Sequence, residues 1–362
     1  MLMASVLQSC AEREVMNELE PIPDTAPQFP ISFGGELVGE ESAVTRADRT
    51  LGQHFFLYGY KTLAADNHPV VFPKYTVYFG PGTAGSTEDN THNYYYVDPD
   101  KKQYIKYWDY SASEYRYWGY VVDNPNISAD ADGGKLTISG IAMGINEPKG
   151  KDAEDRDIDY LVSTLKVVPK AEFGNTVQMR FVHPYAKVRV LVYSGEKLVS
   201  TDVVKLSNIS FGPEDTSKKI VSKGTLQIEY PLLESSKAEK YSILDGTNTD
   251  KFNYKALDLT SDHCASNTAA VAIPDETDAT TANQYYYILP LATGVTPTDF
   301  KFSAVYNGAT KTAIVPAAYM HWNPNYSYTY IFKVLDGTLL FVDVKVNDWQ
   351  IGGSANDTWT NW

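Results

Sequence analysis

The sequence is poor in cysteine and in positive charge, and each shortage excludes a class of protein. The 362 residues include only two cysteines, Cys10 and Cys264, which are too few for a disulfide framework. Lysine and arginine number 31 against 45 aspartate and glutamate residues, which gives a formal net charge of −14. Such an acidic surface repels phosphate backbones, so we expect no nucleic-acid partner. No apolar run reaches the roughly 18 residues that a membrane-spanning helix needs.

Sequence signatures of catalysis and of metal binding are also absent. The chain contains no Gly-x-Ser-x-Gly elbow, no His-Glu-x-x-His motif and no Walker loop. Cys264 has no second cysteine nearby, so we interpret it as an ordinary loop cysteine. The stretch DADG at 130–133 resembles part of a calcium loop but lacks its closing glutamate, so we interpret it as a hairpin turn. We therefore predict a protein that is not an enzyme, with no catalytic residue, no metal and no cofactor.

Aromatic residues and period-two alternation are abundant, and both indicate β-structure. The chain has 27 tyrosines and 14 phenylalanines, which suit half-buried strands. Apolar and polar residues alternate in short segments such as 29–33, 226–230, 326–332 and 342–346, and Gly and Pro turns separate such segments. This pattern, without a long amphipathic helix, predicts an all-β chain built from β-sandwiches.

Chain length and composition together predict the domain organisation. At roughly 100–200 residues per domain, the length predicts two domains. We place the boundary in residues 169–174, after an acidic stretch at 152–159. The prediction is a signal remnant and disordered tether over 1–28, an N-terminal β-sandwich domain over 29–172 and a C-terminal β-sandwich domain over 173–362.

The first ten residues, MLMASVLQSC, differ from the rest of the chain. They are small and apolar, and they end in Cys10, which resembles a bacterial lipobox whose cysteine is acylated. A basic n-region and a full h-region are missing, so the alternative is a short tail with a chance cysteine. A Glu- and Pro-rich stretch follows over 11–28 and predicts a disordered tether. We expect Cys10 to carry a lipid that anchors the protein in the outer membrane.

The densest aromatic cluster of the sequence lies between residues 104 and 120. If these rings are exposed, they offer a surface that stacks on sugars; if they are buried, they form two adjacent strands of one core. We favour the buried interpretation, because tyrosine is a good strand residue. The exposed interpretation is kept as an alternative function, a surface carbohydrate- or host-binding lipoprotein of tip-adhesin type. The cluster members are Tyr104, Tyr107, Trp108, Tyr110, Tyr115, Tyr117, Trp118 and Tyr120.

Short aromatic motifs follow one another along the chain in a characteristic order. They are FFLYGY at 55–60, YWDY at 107–110, DYL at 159–161, FVHPYAK at 181–187, YILP at 287–290, WNP at 322–324 and VKVNDW at 344–349. This series resembles the fimbrillins of the Bacteroides group, the type V pilin superfamily. The resemblance extends over about residues 30–352, nearly the whole chain.

The resemblance implies a fold, a maturation step and partners. It implies two transthyretin-like β-sandwich domains in tandem, export as a lipoprotein and cleavage by an arginine-specific surface protease. Arg46 matches the cleavage position, and Arg49 is a near alternative. The cut would release an exchangeable N-terminal strand that contains Phe29, Ile31 and Phe33, three apolar residues that we expect to be buried before the cut. A terminal strand of another fimbrial subunit would then fill the groove by β-augmentation.

Two segments near the C-terminus are candidates for that donor strand. The alternating valines offer apolar side chains at every second position, but they also suit a permanent strand of the second domain, which would leave only residues 351–362 as donor. The candidate donor residues are Val342, Val344, Val346, Trp349 and Ile351. The function that we predict is therefore a structural subunit of a surface fimbria, whose place in the stalk, tip or anchor stays open.

Overall fold

The structure, a computed structural model, describes residues 29–37, 54–63, 67–79, 94–121, 124–142, 144–145, 160–196, 198–232, 238–260, 285–288 and 297–348. Strands dominate this part of the chain. Its helical elements are the short 3-10 turns Pro99–Lys101, Lys170–Glu172 and Ala317–Tyr319. The all-β class that the alternating pattern predicts is therefore confirmed.

The strands, in chain order, are β1 (Phe33–Leu37), β2 (His54–Thr62), β3 (Val70–Phe79), β4 (Tyr94–Tyr95), β5 (Glu114–Tyr120), β6 (Ile127–Asp130), β7 (Lys135–Ala142), β8 (Gly144–Ile145), β9 (Val162–Ser163), β10 (Lys166–Pro169), β11 (Val177–Val182), β12 (Ala186–Ser194), β13 (Val204–Pro213), β14 (Ile220–Glu229), β15 (Lys240–Thr249), β16 (Phe252–Tyr254), β17 (Leu257–Leu259), β18 (Tyr285–Ile288), β19 (Phe300–Tyr306), β20 (Ala309–Val315), β21 (Tyr326–Leu335) and β22 (Thr338–Asp348).

The largest sheet has eight strands and is strongly curled. Its order is β1-β11-β9-β5-β2-β3-β4, and β10 pairs with β5. The edge strands β1 and β4 approach each other, with Cα atoms within 8 Å, so the sheet almost closes on itself. Both of its faces are buried, which explains why residues 55–60 of β2 are all buried and read as a continuous apolar run.

A four-stranded sheet covers the outer face of the curled sheet. Its order is β15-β14-β7-β6. The contact between the two sheets includes a stack of three rings, with centroid distances of 4.2 Å between Tyr58 and Trp118 and 4.8 Å between Trp118 and Tyr230. The predicted hairpin turn at 130–133 joins β6 to β7, where the Gly133 N–H donates to Asp130 Oδ1 at 2.9 Å.

A second sandwich is formed by two five-stranded sheets. One has the order β22-β21-β12-β18-β8, and the other has the order β16-β13-β19-β20 with β17 also paired to β13. Phe302 stacks on Phe332 across the core at 4.1 Å. The hairpin of β21 and β22 turns at Asp336 and Gly337, whose φ angles of 50° and 69° suit a tight turn of this kind.

Strand pairing crosses the boundary that the sequence predicts at residue 172. β11 lies in the curled sheet beside β1, and β14 pairs with β7. In the other direction, β8 adds to the second sandwich through β18. The sheets therefore do not separate at residue 172. The turn at 169–174 joins β10 to β11, and both strands belong to the curled sheet. The limits of the domains stay a prediction.

Candidate strand-exchange site

The N-terminal segment enters the curled sheet by pairing first with a loop and then with a strand. The Trp108 N–H donates to the Phe29 carbonyl at 3.1 Å, and the Ile31 N–H donates to the Lys106 carbonyl at 2.8 Å. From Ser32 onward the segment pairs with β11 instead. The Ser32 carbonyl accepts from the Val177 N–H at 2.8 Å. β1 then runs parallel to β11, with Phe33 opposite Val177. β1 is the edge strand of the sheet, so β11 is its one ladder partner in the described structure.

Phe33 fills a ring-lined space inside the curled sheet. Its ring makes edge-on contacts with Phe72 at 5.3 Å, Tyr96 at 5.7 Å and Tyr117 at 5.3 Å between centroids. We call this space, lined by Phe72, Tyr96 and Tyr117, the β1 seat. Phe33 is 3% exposed and Ile31 is 1% exposed. Burying two such side chains contributes about 3–6 kcal/mol at roughly 1.5–3 kcal/mol each.

Phe29 does not share this burial, although the sequence groups it with Ile31 and Phe33. The structure leaves it 45% exposed, ahead of the first residue of β1. The prediction of three buried apolar residues on the exchangeable strand is therefore wrong for Phe29. Phe29 lies four residues before β1, at the end of the paired segment, and its ring is outside the core cluster that contains Ile31 and Phe33.

The segment between β4 and β5 closes the β1 seat, and a buried glutamine fixes it in place. Gln103 is 2% exposed and its side chain accepts from the Thr76 N–H at 2.6 Å. The same side-chain amide donates to the carbonyls of Thr76 at 3.1 Å and Tyr96 at 2.9 Å. Tyr96 bonds to Lys106 in both directions, because its hydroxyl accepts from the N–H at 2.9 Å and donates to the carbonyl at 3.2 Å.

Burial raises the pKa of the tyrosines in this region. Desolvation raises the pKa of Tyr96 to about 12, against a smaller lowering by the hydrogen bond to Lys106. Desolvation likewise raises the pKa of Tyr117 well above its usual value. Both phenols are therefore neutral at physiological pH, and the β1 seat presents uncharged rings to whichever strand occupies it.

The sequence prediction did not find the residues that build the β1 seat. Phe72 lies in β3, Tyr96 in the segment between β4 and β5, and Tyr117 in β5, and no pattern within one segment predicts that they meet. The one local signal is Gln103, an amide side chain in an aromatic-rich stretch. In the folded chain this amide bonds to buried backbone groups, such as the Thr76 carbonyl, in place of a strand partner.

The aromatic cluster at 104–120 is divided by the fold. The residues from 115 to 120 form β5 and are buried, as the favoured interpretation predicts. The residues from 104 to 110 form no second strand, and Tyr104, Tyr107 and Tyr110 are 58%, 39% and 43% exposed. The prediction of two adjacent strands is therefore wrong for this half, because the loop that closes the β1 seat turns these three rings outward. Trp108, on the same loop, is 5% exposed, as the buried interpretation predicts.

The candidate donor valines lie in the second sandwich. β22 pairs along its whole length with β21, and Val344 is 2% exposed in the core. Val346 packs against the same core and is partly buried. Val342 is 40% exposed, because a bulge opposite Ile331 and Phe332 breaks the alternation there. These three valines thus lie in a strand of the chain's own second sandwich, which is the alternative to the donor role given above.

Other predicted site residues lie outside the described part of the chain. They are Cys10, Arg46, Arg49, Trp349 and Ile351, together with Cys264. Their order in the sequence is still informative, because Arg46 and Arg49 fall between the end of β1 and the start of β2. Among the described residues, no group of His, Cys, Asp and Glu is arranged to hold a metal ion. No helix in that part of the chain is both long and apolar enough to cross a membrane.

Comparison with known families identifies the chain. The profile of the family described as "Fimbrillin-like" matches residues 74–349, well over half of the sequence. The chain belongs to the fimbrillin-like family. This confirms the resemblance seen in the motif order, and it indicates a fimbrial protein of the cell surface. No curated protein sequence matches the chain.

Solved structures with some likeness to this fimbrillin-like chain also come from the Bacteroides group. A fimbrial protein from Bacteroides vulgatus has 13% identity and a TM-score of 0.44, with 88% of this chain and 99% of that chain covered. A fimbrial assembly protein from Parabacteroides distasonis has 10% identity and a TM-score of 0.39, with 89% and 97% covered.

Proposed function

We propose that this fimbrillin-like chain is a structural subunit of a surface fimbria, assembled by protease-triggered donor-strand exchange. The observation that supports the proposal best is the placement of β1. It is a five-residue edge strand with one ladder partner among the described strands, it buries Phe33 in the β1 seat, and the link to β2 carries Arg46 and Arg49.

Cleavage at Arg46 or Arg49 would cut the only covalent connection between β1 and the rest of the sheet. The cut strand is then held by its pairing with β11 and by two buried side chains. Its departure exposes the backbone edge of β11 together with the apolar β1 seat. Such an edge beside an apolar slot favours pairing with a strand of another fimbrial subunit.

The donor that we propose lies after β22. Val344 and Val346 are committed to the core of the second sandwich, so a subunit that gave them away would lose its own fold. Residues 349–362 follow β22 and include Trp349, Ile351, Trp359 and Trp362, which are large apolar side chains suited to a ring-lined seat. We further propose that a lipid on Cys10 anchors the precursor in the outer membrane until cleavage removes the N-terminal segment.

Limited cleavage with an arginine-specific protease tests the assembly proposal. We expect the first cut at Arg46 or Arg49, followed by oligomers that survive shear, because a strand exchanged between copies carries a full backbone ladder. A variant with both Arg46→Lys and Arg49→Lys is the matched control and stays monomeric. A variant without residues 350–362 is cut normally but stays a folded monomer. Cleaved full-length protein that remains monomeric at high concentration would contradict strand exchange between copies of this chain.

Fatty-acid labelling of cells tests the anchor separately. We expect the label to enter the parent protein and to be lost in Cys10→Ala. Equal labelling of parent and variant would rule out lipidation at Cys10, while leaving the assembly proposal intact.

A second candidate function is a carbohydrate- or host-binding surface lipoprotein. The observation that favours it is the set of exposed rings near the start of β1, formed by Phe29, Tyr104, Tyr107 and Tyr110. Shearing intact cells separates the two functions. A fimbrial subunit leaves the cell as high-mass polymer, whereas a binding lipoprotein remains with the membrane.

A further inference from the structure

A row of rings on β21 runs out of the second sandwich into solvent. Tyr326, Tyr328, Tyr330 and Phe332 lie on one face of this strand at every second position. Their exposure falls along the row, at 38%, 3%, 0% and 0%. Phe332 and Tyr330 are covered by the facing sheet, where Phe211 lies 4.9 Å from the Tyr330 ring. The facing sheet does not reach Tyr326, so the core ends in an open pocket.

This pocket has the size and chemistry of a small-molecule site. Its volume is about 600 Å³, within the range that proteins use for small ligands. Val344 and Val346 give it apolar walls, and the side chains of Tyr319, His321, Asn323 and Tyr326 line the rest together with Tyr328. Among the residues that the structure describes, its lining includes no carboxylate, lysine or arginine, so this part of the pocket suits an uncharged ligand with both apolar and hydroxyl surfaces.

Hydrogen bonds hold the walls of the pocket in place. The Asn323 N–H donates to the Tyr328 hydroxyl at 2.8 Å, which fixes the loop over the strand. The Tyr330 hydroxyl donates to the Tyr319 carbonyl at 2.8 Å and accepts from Trp322 Nε1 at 2.9 Å. A site whose walls are already ordered loses less conformational entropy when a ligand binds.

A smaller cavity adjoins the pocket. That cavity has a volume of about 310 Å³ and shares Asn323 and Tyr326 with the first. Arg180 and Glu239 lie along it, so its lining is charged where the first is neutral. We call these two adjoining spaces the β21 groove.

We propose that this groove binds a glycan, with a neutral sugar ring in the pocket beside Tyr326. The apolar C–H face of a sugar suits the exposed tyrosine ring, and its hydroxyl groups suit the Asn323 amide and the His321 imidazole. Both backbone edges of β21 are already paired, with β12 and β22. Recognition over this strand therefore depends on side chains. This proposal does not depend on strand exchange.

Saturation-transfer NMR with the full-length protein tests the proposal. The probes are five neutral disaccharides at millimolar concentration: lactose, maltose, cellobiose, mannobiose and diacetylchitobiose. We expect transfer to at least one of them. Tyr326→Ala should weaken that binding about tenfold, since a ring contact and its buried area are together worth about 1.4 kcal/mol. Tyr326→Phe, which keeps the ring, should stay within about threefold of the parent.

Two further variants keep the test decisive. Asn323→Ala removes a second lining side chain, which is exposed, and should also weaken binding. Tyr104→Ala removes an exposed ring on the curled-sheet side of the molecule and should leave binding unchanged. The proposal is overturned if none of the disaccharides shows transfer, or if transfer survives both Tyr326→Ala and Asn323→Ala. It is also overturned if a synthetic peptide of residues 350–362 binds in place of any sugar and Tyr326→Ala abolishes that binding.

Discussion

β1 and β22 are both edge strands near the ends of the described chain, yet they are held in different ways. β1 has five residues and pairs in parallel with β11, which lies far away in the sequence. β22 has 11 residues and forms an antiparallel hairpin with β21 through the Asp336–Gly337 turn. β1 places Phe33 in the β1 seat, whereas β22 places Leu339 and Val344 in the core and packs Phe341 and Val346 against it.

The difference shows that alternation and an edge position do not by themselves make a strand exchangeable. A hairpin strand returns to its partner quickly after any local opening, because the turn keeps the two close. A parallel edge strand has no such tether once the chain is cut on its far side. The comparison therefore supports our proposal that β1 is the removable strand and that β22 is a permanent part of its sandwich.

A buried charge on β22 is expected to have the largest effect. Val344→Asp places a carboxylate in the second sandwich core and should cost more than about 4 kcal/mol of unfolding free energy. Val342→Asp, on the bulge of the same strand, should cost less than about 1 kcal/mol. Urea unfolding followed by tryptophan fluorescence measures both. Equal losses in the two variants would mean that β22 does not carry this core.

Truncation on β1 should have the next largest effect. Phe33→Ala empties the β1 seat and should cost about 3–5 kcal/mol. Phe29→Ala removes a half-exposed ring and should cost less than about 1 kcal/mol. The same unfolding assay on uncut protein compares them. If Phe29→Ala proves the more damaging, the buried register of the N-terminal strand is not the one described.

The strands of both regions follow from the sequence because alternation and turn residues are local signals. The hairpin at 336–337 and the tyrosine row on β21 are examples, as is the β6–β7 turn at 130–133. Sheet order is not local, so β11 could not be assigned to the sheet of β1 from its own residues. The β1 seat was missed for the same reason, because Phe72, Tyr96 and Tyr117 meet only after the sheet curls.

The loop that closes the β1 seat offers a smaller perturbation. Gln103→Ala leaves the Thr76 N–H and carbonyl and the Tyr96 carbonyl without their side-chain partner. We expect a loss of about 2–3 kcal/mol, since each buried polar group without a partner costs about 1–3 kcal/mol and entering water recovers part of that. Tyr104→Ala, on the same loop but exposed, should change stability little. Thermal unfolding of both variants is the measurement.

Alkaline pH should weaken both regions, because each of them buries a tyrosine. The folded pKa values of Tyr96, in the β1 seat, and Tyr328, beside β22, are both raised to about 12 because burial disfavours the phenolate. Their usual pKa is 10, so this contribution to stability is complete below pH 10 and is lost as pH rises towards 12. Urea midpoints across this window should fall less steeply in Tyr96→Phe and Tyr328→Phe than in the parent. Parallel pH profiles for parent and variants would contradict the assigned burial.

Hydrogen exchange of the backbone, followed by mass spectrometry before and after cleavage at Arg46 or Arg49, tests the contrast between β1 and β22 most directly. In uncut protein we expect protection in both β11 and β22. After cleavage, the β11 amides at 177–182 should lose protection in the monomer and regain it when the cleaved protein polymerises, while β22 stays protected throughout. Loss of protection in β22 with β11 unchanged would contradict the account.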